Sequence, residues 1–289
     1  MRVIEPHIHM VSRTTDDYAR MARMGVVACA EPAFWAGYDR LSPEAFRDYF
    51  HHISAFEPTR AAQHLIDHYC WICINPKEAE DVAFSREVIA FIPEFLDRPN
   101  VLGIGEIGLN KNTRNEMTIF EEQVELALKH GQLILIHTPH LNDKLKGVRM
   151  MVDYLKGHGG VDPERVLIDH MEEHTMGIVR EAGFWTGMTI YPVSKNSPAR
   201  AVDSLERFGF DRVMVNSAGD WGPSGPEAVH HTIFEMRRRG HRPEDIETVF
   251  YNNPCTFMGQ CPKFKPQPTR SREEAWGDGA RGGTRTRTA

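Results

Sequence analysis

Eight short apolar runs alternate along this chain with longer amphipathic segments. The short runs are rich in β-branched residues and have the length of strands, whereas the longer segments show the apolar spacing of helices. This alternation is typical of βα units around a parallel sheet, and eight regular units predict a closed (β/α)8 TIM barrel. A doubly wound open sheet is the alternative, which the regular count of eight disfavours. The predicted strands are Val3–Ile8, Gly25–Ala30, Tyr69–Asn75, Val101–Ile107, Leu133–His137, Val166–His170, Trp185–Tyr191 and Val213–Asn216.

Helical patterns fill the spaces between these runs, and the polar end of the chain lies outside them. About 250 residues are typical for one barrel, so we expect a single barrel over residues 1–262. From Lys263 to Ala289 basic residues outnumber acidic ones, and Gly, Pro, Ser and Thr are frequent. Such a segment has little to bury, which predicts a disordered basic tail. The predicted helices are Asp16–Met24, Val82–Leu96, Met117–His130, Lys144–Gly157, Pro198–Phe208, Glu227–Arg239 and Pro243–Tyr251.

The charge, hydropathy and cysteine content exclude several functional classes. The formal net charge of −6 provides no general basic surface for polyanions. The apolar runs are strand-sized, whereas a membrane span needs about 18 residues, so we expect no membrane insertion. Five cysteines and the absence of an export signal favour a reducing, cytoplasmic location. Cys70 and Cys73 lie on opposite faces of a predicted strand, which disfavours a zinc or redox pair.

The segment from Glu31 to His68 is longer than a minimal connection between a strand and a helix, and it is rich in aromatic residues. Over the mouth of a barrel such a segment could form a substrate lid. The alternative is that its aromatic side chains simply pack in the core, as aromatics at helical spacing usually do.

Two histidines, His7 and His9, close the first predicted strand. Side chains alternate between the two faces of a strand, so both imidazoles point to the same side. Two imidazoles that converge at the mouth of a barrel begin a site for an ion such as zinc or manganese. The pair alone is weak support, because hydrogen-bonded histidines in strands are common.

Further residues of the ligand type follow other predicted strands. Glu106 ends an otherwise apolar strand, where an unpartnered carboxylate would cost several kcal/mol. His137 and His170 end the fifth and sixth strands, and Asp220 follows the eighth. The carboxyl ends of barrel strands form one rim, which carries the active site of characterised barrel enzymes. The predicted metal ligands at this rim are His7, His9, Glu106, His137, His170 and Asp220.

These motifs resemble those of the TatD-type metal-dependent hydrolases of the amidohydrolase superfamily. The most specific match is Gly103-Ile104-Gly105-Glu106-Ile107-Gly108-Leu109, and the similarity covers roughly residues 1–260. The other matching pieces are His7-Ile8-His9, Ile134–His137, His170, Asp220, Phe120–Ala127 and Asn253-Pro254.

The resemblance implies a (β/α)8 barrel with one or two divalent cations, of zinc, manganese or magnesium. Two nearby cations acidify water, polarise the scissile bond and stabilise the leaving oxygen. Glu106 would occupy the place of the carboxylated lysine of other amidohydrolases, and Asp220 would orient the attacking water and accept its proton. By the same resemblance, the first metal would be held by His7, His9 and Asp220, the second by His137 and His170, and both would be supported by Glu106.

The sequence departs from the DNA-cleaving members of that family around the site. Asn75 replaces a substrate-side histidine, and His137–His140 replaces a His-x-Arg stretch whose cation suits phosphate. Glu172 and Glu173 add negative charge near the mouth, and Asn216–Trp221 replaces the usual Glu-Thr-Asp. These changes leave the predicted ligands in place and remove or repel groups that bind phosphate.

Three polar residues beyond the ligands are predicted to contact the substrate. Asn75 follows the third predicted strand. His140 could contact the substrate or protonate a leaving group, and His174 could contact it or orient His170. For both histidines the alternative is a loop side chain hydrogen-bonded to water.

We therefore expect a metal-dependent hydrolase in which Asp220 and Glu106 are catalytic and an ester, amide, lactone or phosphoester of a small molecule is cleaved. A deoxyribonuclease acting on DNA ends is the first alternative. The net charge, the missing His-x-Arg and the Glu172–Glu173 pair count against it. A non-catalytic metal-binding accessory barrel is the second alternative, which the complete ligand set disfavours.

Overall fold

The computed structural model describes residues 1–139 and 143–267. Eight parallel strands form one sheet, in which each strand pairs with the next along the chain. All eight predicted strands are present, although their bounds differ by a few residues. The strands are β1 (Val3–Glu5), β2 (Val26–Pro32), β3 (Asp67–Ile72), β4 (Val101–Gly108), β5 (Leu133–His137), β6 (Val166–Ile168), β7 (Trp185–Thr189) and β8 (Val213–Asn216).

The sheet closes just beyond the ends of β1 and β8. Ile8 forms a parallel bridge with Gly219. The backbone N–H of His9 donates to the carbonyl of Gly219 at 2.9 Å, and that of Ala218 donates to the carbonyl of His7 at 2.8 Å. The predicted (β/α)8 TIM barrel is confirmed, and the open-sheet alternative is wrong.

The helices pack around the outside of the barrel. Short π-helical segments, His52–Phe56 and Thr248–Asn252, join α2 to α3 and α11 to α12. In the described part of the chain the α-helices are α1 (Thr15–Arg23), α2 (Pro43–His51), α3 (Glu57–Ala62), α4 (Val82–Phe91), α5 (Pro93–Leu96), α6 (Arg114–Lys129), α7 (Lys144–Gly157), α8 (Met176–Glu181), α9 (Pro198–Phe208), α10 (Ala228–Arg238), α11 (Pro243–Glu247) and α12 (Asn253–Met258).

Capping residues explain why two predicted helices, α7 and α9, have the predicted bounds. The Asp143 side chain accepts a hydrogen bond from the backbone N–H of Lys146, and the Ser197 side chain accepts one from that of Arg200. Such caps satisfy N–H groups that the first turn of a helix leaves unpaired. The predicted helix over Val82–Leu96 is instead divided into α4 and α5, because Pro93 supplies no N–H to continue it.

The first strand is shorter than predicted, and this affects the candidate site. It ends at Glu5 rather than Ile8, because Pro6 has no N–H to donate to a ladder. His7 and His9 therefore lie on an irregular extension of β1, tied to the barrel by the bridge at Ile8. This extension still alternates, so both imidazoles reach the inside of the mouth.

Two apolar layers follow from the alternation of side chains along the strands. One layer lies between the sheet and the surrounding helices. The other fills the inside of the barrel with large aromatic and aliphatic side chains. The interior layer contains Ile4, Ala28, Ala30, Tyr69, Trp71, Leu102, Leu133, Leu135, Leu167, Trp185 and Met214.

The end of the described chain closes the bottom of the barrel, opposite the candidate site. Phe257 and Met258 of α12 join the interior layer, and so does Phe264, whose ring centre lies 4.7 Å from that of Tyr69. The packed domain thus extends to Gln267, past the predicted boundary at residue 262. The rest of the predicted basic tail lies outside the described residues.

The aromatic segment between Glu31 and His68 divides into two parts. Phe46 and Phe50 are buried in the layer outside the sheet, as the packing alternative predicts. Phe34 and Trp35 instead line the cavity at the mouth of the barrel. Across the described ranges, no helix combines the length and the apolar character that crossing a membrane requires.

Candidate metal centre

Four imidazoles and one carboxylate meet at the mouth of the barrel. All are buried, and they form three overlapping groups, one of which also includes Asp169; within each group the ligand atoms lie within 4.8 Å of one another. They come from the extension of β1, from β4, from the end of β5 and from the turn after β6. Five of the six predicted ligands are thus brought together, namely His7, His9, Glu106, His137 and His170.

The hydrogen bonds of His7 and His9 show which ring nitrogens face the centre. His7 Nδ1 lies 2.5 Å from Asp169 Oδ2, and His9 Nδ1 lies 3.2 Å from the carbonyl oxygen of Pro32. Both oxygens are acceptors, so each Nδ1 carries the proton. The two Nε2 lone pairs then face each other at 3.1 Å, an arrangement that a cation between them satisfies.

A second cluster surrounds the other side of Glu106. Its Oε1 lies 2.8 Å from His137 Nδ1 and 2.7 Å from His170 Nε2, while these two nitrogens are 3.1 Å apart. The same oxygen is 3.8 Å from His7 Nε2. Asn75 Nδ2 donates to the other oxygen, Oε2, at 3.2 Å. Glu106 therefore stands between two imidazole pairs, as the residue that bridges or supports two ions would.

A buried hydrogen-bond chain behind the centre orients both His7 and His170. Asn216 Nδ2 donates to both oxygens of Asp169 at 2.9 Å, and Asn216 Oδ1 accepts from the Thr189 hydroxyl at 2.8 Å. Thr189 Oγ1 in turn lies 2.6 Å from His170 Nδ1. Because the hydroxyl proton is already donated, Thr189 accepts from His170 Nδ1, and His170 Nε2 keeps its lone pair for the centre.

The protonation states of these groups suit metal binding. Burial lowers the pKa of His9 and His170 well below 6.5 and also lowers that of His137, which keeps these imidazoles neutral. Burial alone would raise the pKa of Glu106, but His137 and His7 hold it well below its usual range. His7 differs, because burial lowers its pKa but Glu106 and Asp169 outweigh this and raise it above 6.5. Neutral imidazoles and an ionised carboxylate are the forms that bind divalent metals, so the donor set fits the ions expected of this site if His7 releases any second proton on binding.

Asp220 lines the same cavity but is absent from the groups of ligand atoms that lie within 4.8 Å of one another, so its role as a metal ligand stays a prediction. Ser217 directly follows β8, and Ala218 and Asp220 farther along this loop both line the cavity. The Tyr191 hydroxyl donates to Asp220 Oδ1 at 2.9 Å, and the backbone N–H of Gly222 donates to it at 2.6 Å. Asp220 is therefore a partly buried residue of the cavity wall.

His174 is also away from the centre. It is exposed and forms a surface group with Glu172 and Glu173, and Thr189 makes the contact to His170 that was expected of His174. The prediction that His174 orients His170 is wrong. His140 lies outside the described residues, so its predicted substrate contact stays a prediction.

The negative charge expected from Glu172 and Glu173 is neutralised. Lys144 Nζ lies 3.0 Å from Glu172, and Arg200 reaches Glu172 at 3.1 Å and Glu173 at 2.7 Å. The two carboxylates therefore do not add the free negative charge at the mouth that was expected from the sequence.

A cavity of about 120 Å³ lies above the centre and opens to solvent. Asn75 lines it, while its contact with the substrate stays a prediction. Two lysines that the sequence reasoning missed, Lys77 and Lys195, line it as well. Asp169 was missed as well, although an acid directly before His170 in an apolar run was a signal for it. The two lysines lie in turns of ordinary composition, where no such signal exists.

The chain is similar to known metal-dependent hydrolases. The family model described as TatD related DNase matches residues 7–259. An uncharacterized metal-dependent hydrolase of Methanocaldococcus jannaschii is 25% identical over 263 residues, covering 88% of this chain and 99% of the relative.

Two solved structures show a similar fold. A TatD-like protein from Archaeoglobus fulgidus aligns with a TM-score of 0.72 at 23% identity, over 89% of this chain and 99% of that one. A β-aspartyl dipeptidase from Fervidobacterium islandicum, solved with a β-Asp-Leu dipeptide, aligns with a TM-score of 0.60 at 13% identity. The second alignment covers 88% of this chain and 74% of the dipeptidase.

Proposed function

The chain belongs to the TatD-related DNase family and is a metal-dependent hydrolase, and from this premise we propose that it cleaves an ester, amide, lactone or phosphoester bond of a small molecule. The convergence of four buried imidazoles on Glu106 carries the proposal. A non-catalytic accessory barrel would not need two imidazole pairs that share a carboxylate at the floor of an open cavity.

We assign two cation positions on either side of Glu106. His7 and His9 would hold one ion, and His137 and His170 would hold the other, with zinc, manganese or magnesium as the proposed metals. When bound, such cations acidify a water molecule, polarise the scissile bond and stabilise the leaving oxygen.

The remaining steps belong to residues of this chain. Asp220 would take the proton of the attacking water, because Tyr191 and Gly222 hold its Oδ1 and its Oδ2 has no hydrogen-bond partner among the described residues. Asn75 would keep Glu106 in place through its contact with Oε2, and the apolar wall that includes Phe34 and Trp35 would exclude water around the substrate.

A deoxyribonuclease is a second candidate that two observations favour. The family model is described as a DNase family. The charge argument against it is also weaker than the sequence indicates, since Lys144 and Arg200 neutralise Glu172 and Glu173.

A substrate panel on metal-loaded protein tests these functions. We expect turnover of at least one phosphodiester, carboxyl ester, amide or lactone, dependent on added metal and lost in the Glu106→Gln variant. Degradation of single-stranded DNA from its ends without turnover of small substrates would instead support the nuclease. Activity that survives both chelation and Glu106→Gln would contradict the site assignment.

A further inference from the structure

We propose that Lys77 and Lys195 bind an anionic group of the substrate, which makes the substrate a compact organic anion with a carboxylate or phosphate. This inference rests on the proposed function, because the two lysines line the same cavity as the candidate metal centre. The ligand residues discussed above do not require either lysine, and both lie in loops that follow barrel strands.

The two ammonium groups enter the cavity from different strands. Lys77 lies in the turn Pro76–Glu78 after β3, with its Nζ 4.9 Å from the centre of the Trp35 ring. Lys195 lies between β7 and α9, with its Nζ 5.2 Å from the centre of the Tyr191 ring. The backbone of Lys195 is held in place, since its N–H donates to the carbonyl of Tyr191 and its own carbonyl accepts from Arg200.

Neither ammonium is neutralised by a carboxylate. Within residues 1–139 and 143–267, no carboxylate oxygen lies within 4.0 Å of Lys77 Nζ or Lys195 Nζ. Lys144, by contrast, is paired with Glu172 at 3.0 Å.

The two carboxylates of the cavity wall attract Lys195 from a distance, and each has other contacts. Glu106 accepts from Asn75 and contacts two imidazoles, while Asp220 accepts from Tyr191 and Gly222. Asp220 Oδ2 is open, but it forms no ion pair with either lysine among the described residues, so both ammonium groups can bind a group that comes from outside.

The charge balance of the cavity has the sign that an anion needs. With one divalent ion bound, the ion and the two ammonium groups would carry four positive charges, against three negative charges on Glu106, Asp169 and Asp220; a second ion would raise the positive total to six. Burial lowers the pKa of Lys195 to about 8, so its charged form still predominates at pH 7. A concave site with excess positive charge concentrates anions.

The rest of the wall indicates what the anionic group is attached to. Phe34, Trp35 and Trp221 line the cavity, and the two tryptophan rings meet edge to face with their centres 6.0 Å apart. Aromatic rings beside two cations suit an amphipathic molecule with an anionic group and an apolar part. Aromatic acids and their phosphorus analogues are therefore suitable probes.

Calorimetric titration of metal-loaded protein at pH 7 with phenylphosphonate, benzoate and neutral benzamide tests this proposal. We expect at least one anion to bind about tenfold or more tightly than benzamide, and Lys195→Met or Lys77→Met to remove most of this preference. Lys195→Arg, which keeps the charge, should retain it. Lys129→Met, at an exposed position of α6, is the matched control and should change nothing.

The two anions distinguish the substrate sources, since a preference for phenylphosphonate indicates phosphate esters and one for benzoate indicates carboxylates. Equal binding of benzamide and both anions, or an unchanged preference in both methionine variants with metal content intact, would overturn the proposal. If the anion binds through the lysines and no substrate is hydrolysed, the proposed function fails while this inference stands. If esters are hydrolysed and the lysine variants behave as wild type, the proposed function stands and this inference fails.

Discussion

Asp220 lies in the cavity wall, where proton transfer can be separated from metal binding. Asp220→Asn keeps the shape of the side chain and an oxygen for Tyr191 but removes the basic carboxylate. Because Asp220 is outside the imidazole cluster, we expect the metal content to stay near that of the wild type. Turnover should fall by about 10² to 10⁴, as is typical for loss of a general base. Metal analysis and kcat on the best substrate measure the two effects.

His7→Ala is the contrasting variant. Its imidazole is within the cluster, so we expect metal content and activity to be lost together. Full activity in Asp220→Asn would show that another group accepts the proton, and loss of all metal in that variant would support Asp220 as a ligand.

Asp169 should control metal affinity without contacting the metal itself. Its carboxylate fixes the proton of His7 on Nδ1 and is held by Asn216. We expect Asp169→Asn to weaken metal binding by about 10- to 100-fold, the usual effect of removing such a partner. Metal titration with a competing chelator measures the change, with Asp153→Asn at an exposed position of α7 as the control.

A substitution of Gly187, on the neighbouring strand β7, tests the same contacts of Asp169. A Cβ at this position would collide with Asp169 Oδ1, so Gly187→Ala should displace the carboxylate and weaken metal binding too. In Gly177→Ala the new Cβ would be 3.7 Å from Phe208, an ordinary contact, and affinity should be unchanged. Wild-type affinity in both Asp169→Asn and Gly187→Ala would contradict a positioning role for Asp169.

The charged form of Lys195 should lower the free energy of unfolding of the metal-free protein, so that stability depends on pH. Its pKa of about 8 in the folded protein is below the ordinary value of 10.5, because burial disfavours the charge. Below pH 8 the ammonium is charged in both states and destabilises the fold. Between pH 8 and 10.5 the unfolded chain alone stays protonated, so the stability of the wild type rises with pH.

Lys195→Met lacks this titration and serves as the reference. We expect the variant to be more stable than the wild type at pH 7 and the difference to shrink by pH 9.5, measured as urea midpoints after chelation. If the urea midpoints of wild type and Lys195→Met differ by the same amount at both pH values, the Lys195 ammonium is not the cause of the difference.

At the scale of elements, the segment after α12 is part of the fold. Phe264 packs on Tyr69, the backbone N–H of Lys265 donates to the Tyr69 hydroxyl at 3.0 Å, and that of Gln267 donates to Asp67 at 2.6 Å. Burial of one Phe side chain contributes about 1.5–3 kcal/mol. For a domain of this size, 1 kcal/mol shifts Tm by roughly 2–4 °C.

Two truncations test this segment. We expect a chain that ends at Pro262 to melt about 5 °C or more below the full chain, whereas a chain that ends at Gln267 should melt within about 2 °C of it. The single variant Phe264→Ala should reproduce most of the first effect. Equal melting temperatures for both truncations would place the boundary of the domain at residue 262, as the sequence predicts.

At the scale of the whole molecule, metal binding should stabilise the barrel. The imidazoles and Glu106 come from β1, β4, β5 and β6 and their extensions, so an ion cross-links strands that are far apart in the chain. An ion at about 100 times its Kd adds roughly 2.7 kcal/mol, provided that it does not bind the unfolded chain. We expect thermal melting of metal-loaded protein to exceed that of chelated protein by about 5 °C or more.

The histidines offer matched controls for this measurement. His7→Ala should lose most of the metal-dependent shift, while His174→Ala should keep it, because His174 lies on the surface. A shift that survives in His7→Ala and disappears in His174→Ala would show that the stabilising ion binds at the surface group instead.

The amino-acid sequence by itself determined the eight strands and five residues of the imidazole–carboxylate cluster, which are candidate metal ligands. Each of these ligands follows or ends an apolar run of strand length, as Glu106 and His137 do, and the carboxyl ends of barrel strands always meet at one rim. Local pattern and fold class therefore suffice to bring His7, His9, Glu106, His137 and His170 together.

Only the tertiary structure decided the surroundings of that cluster. The place of Asp220, the pairing of Glu172 with Lys144, and the approach of Lys195 depend on how loops after different strands cross the mouth. The contact between Asp169 and His7 joins residues that are 162 positions apart in the chain. Such contacts depend on the register of the strands and on the path of the loops. The periodicity of side chains within one segment does not encode either, because it shows only which face of the segment is buried and not which strand lies beside it.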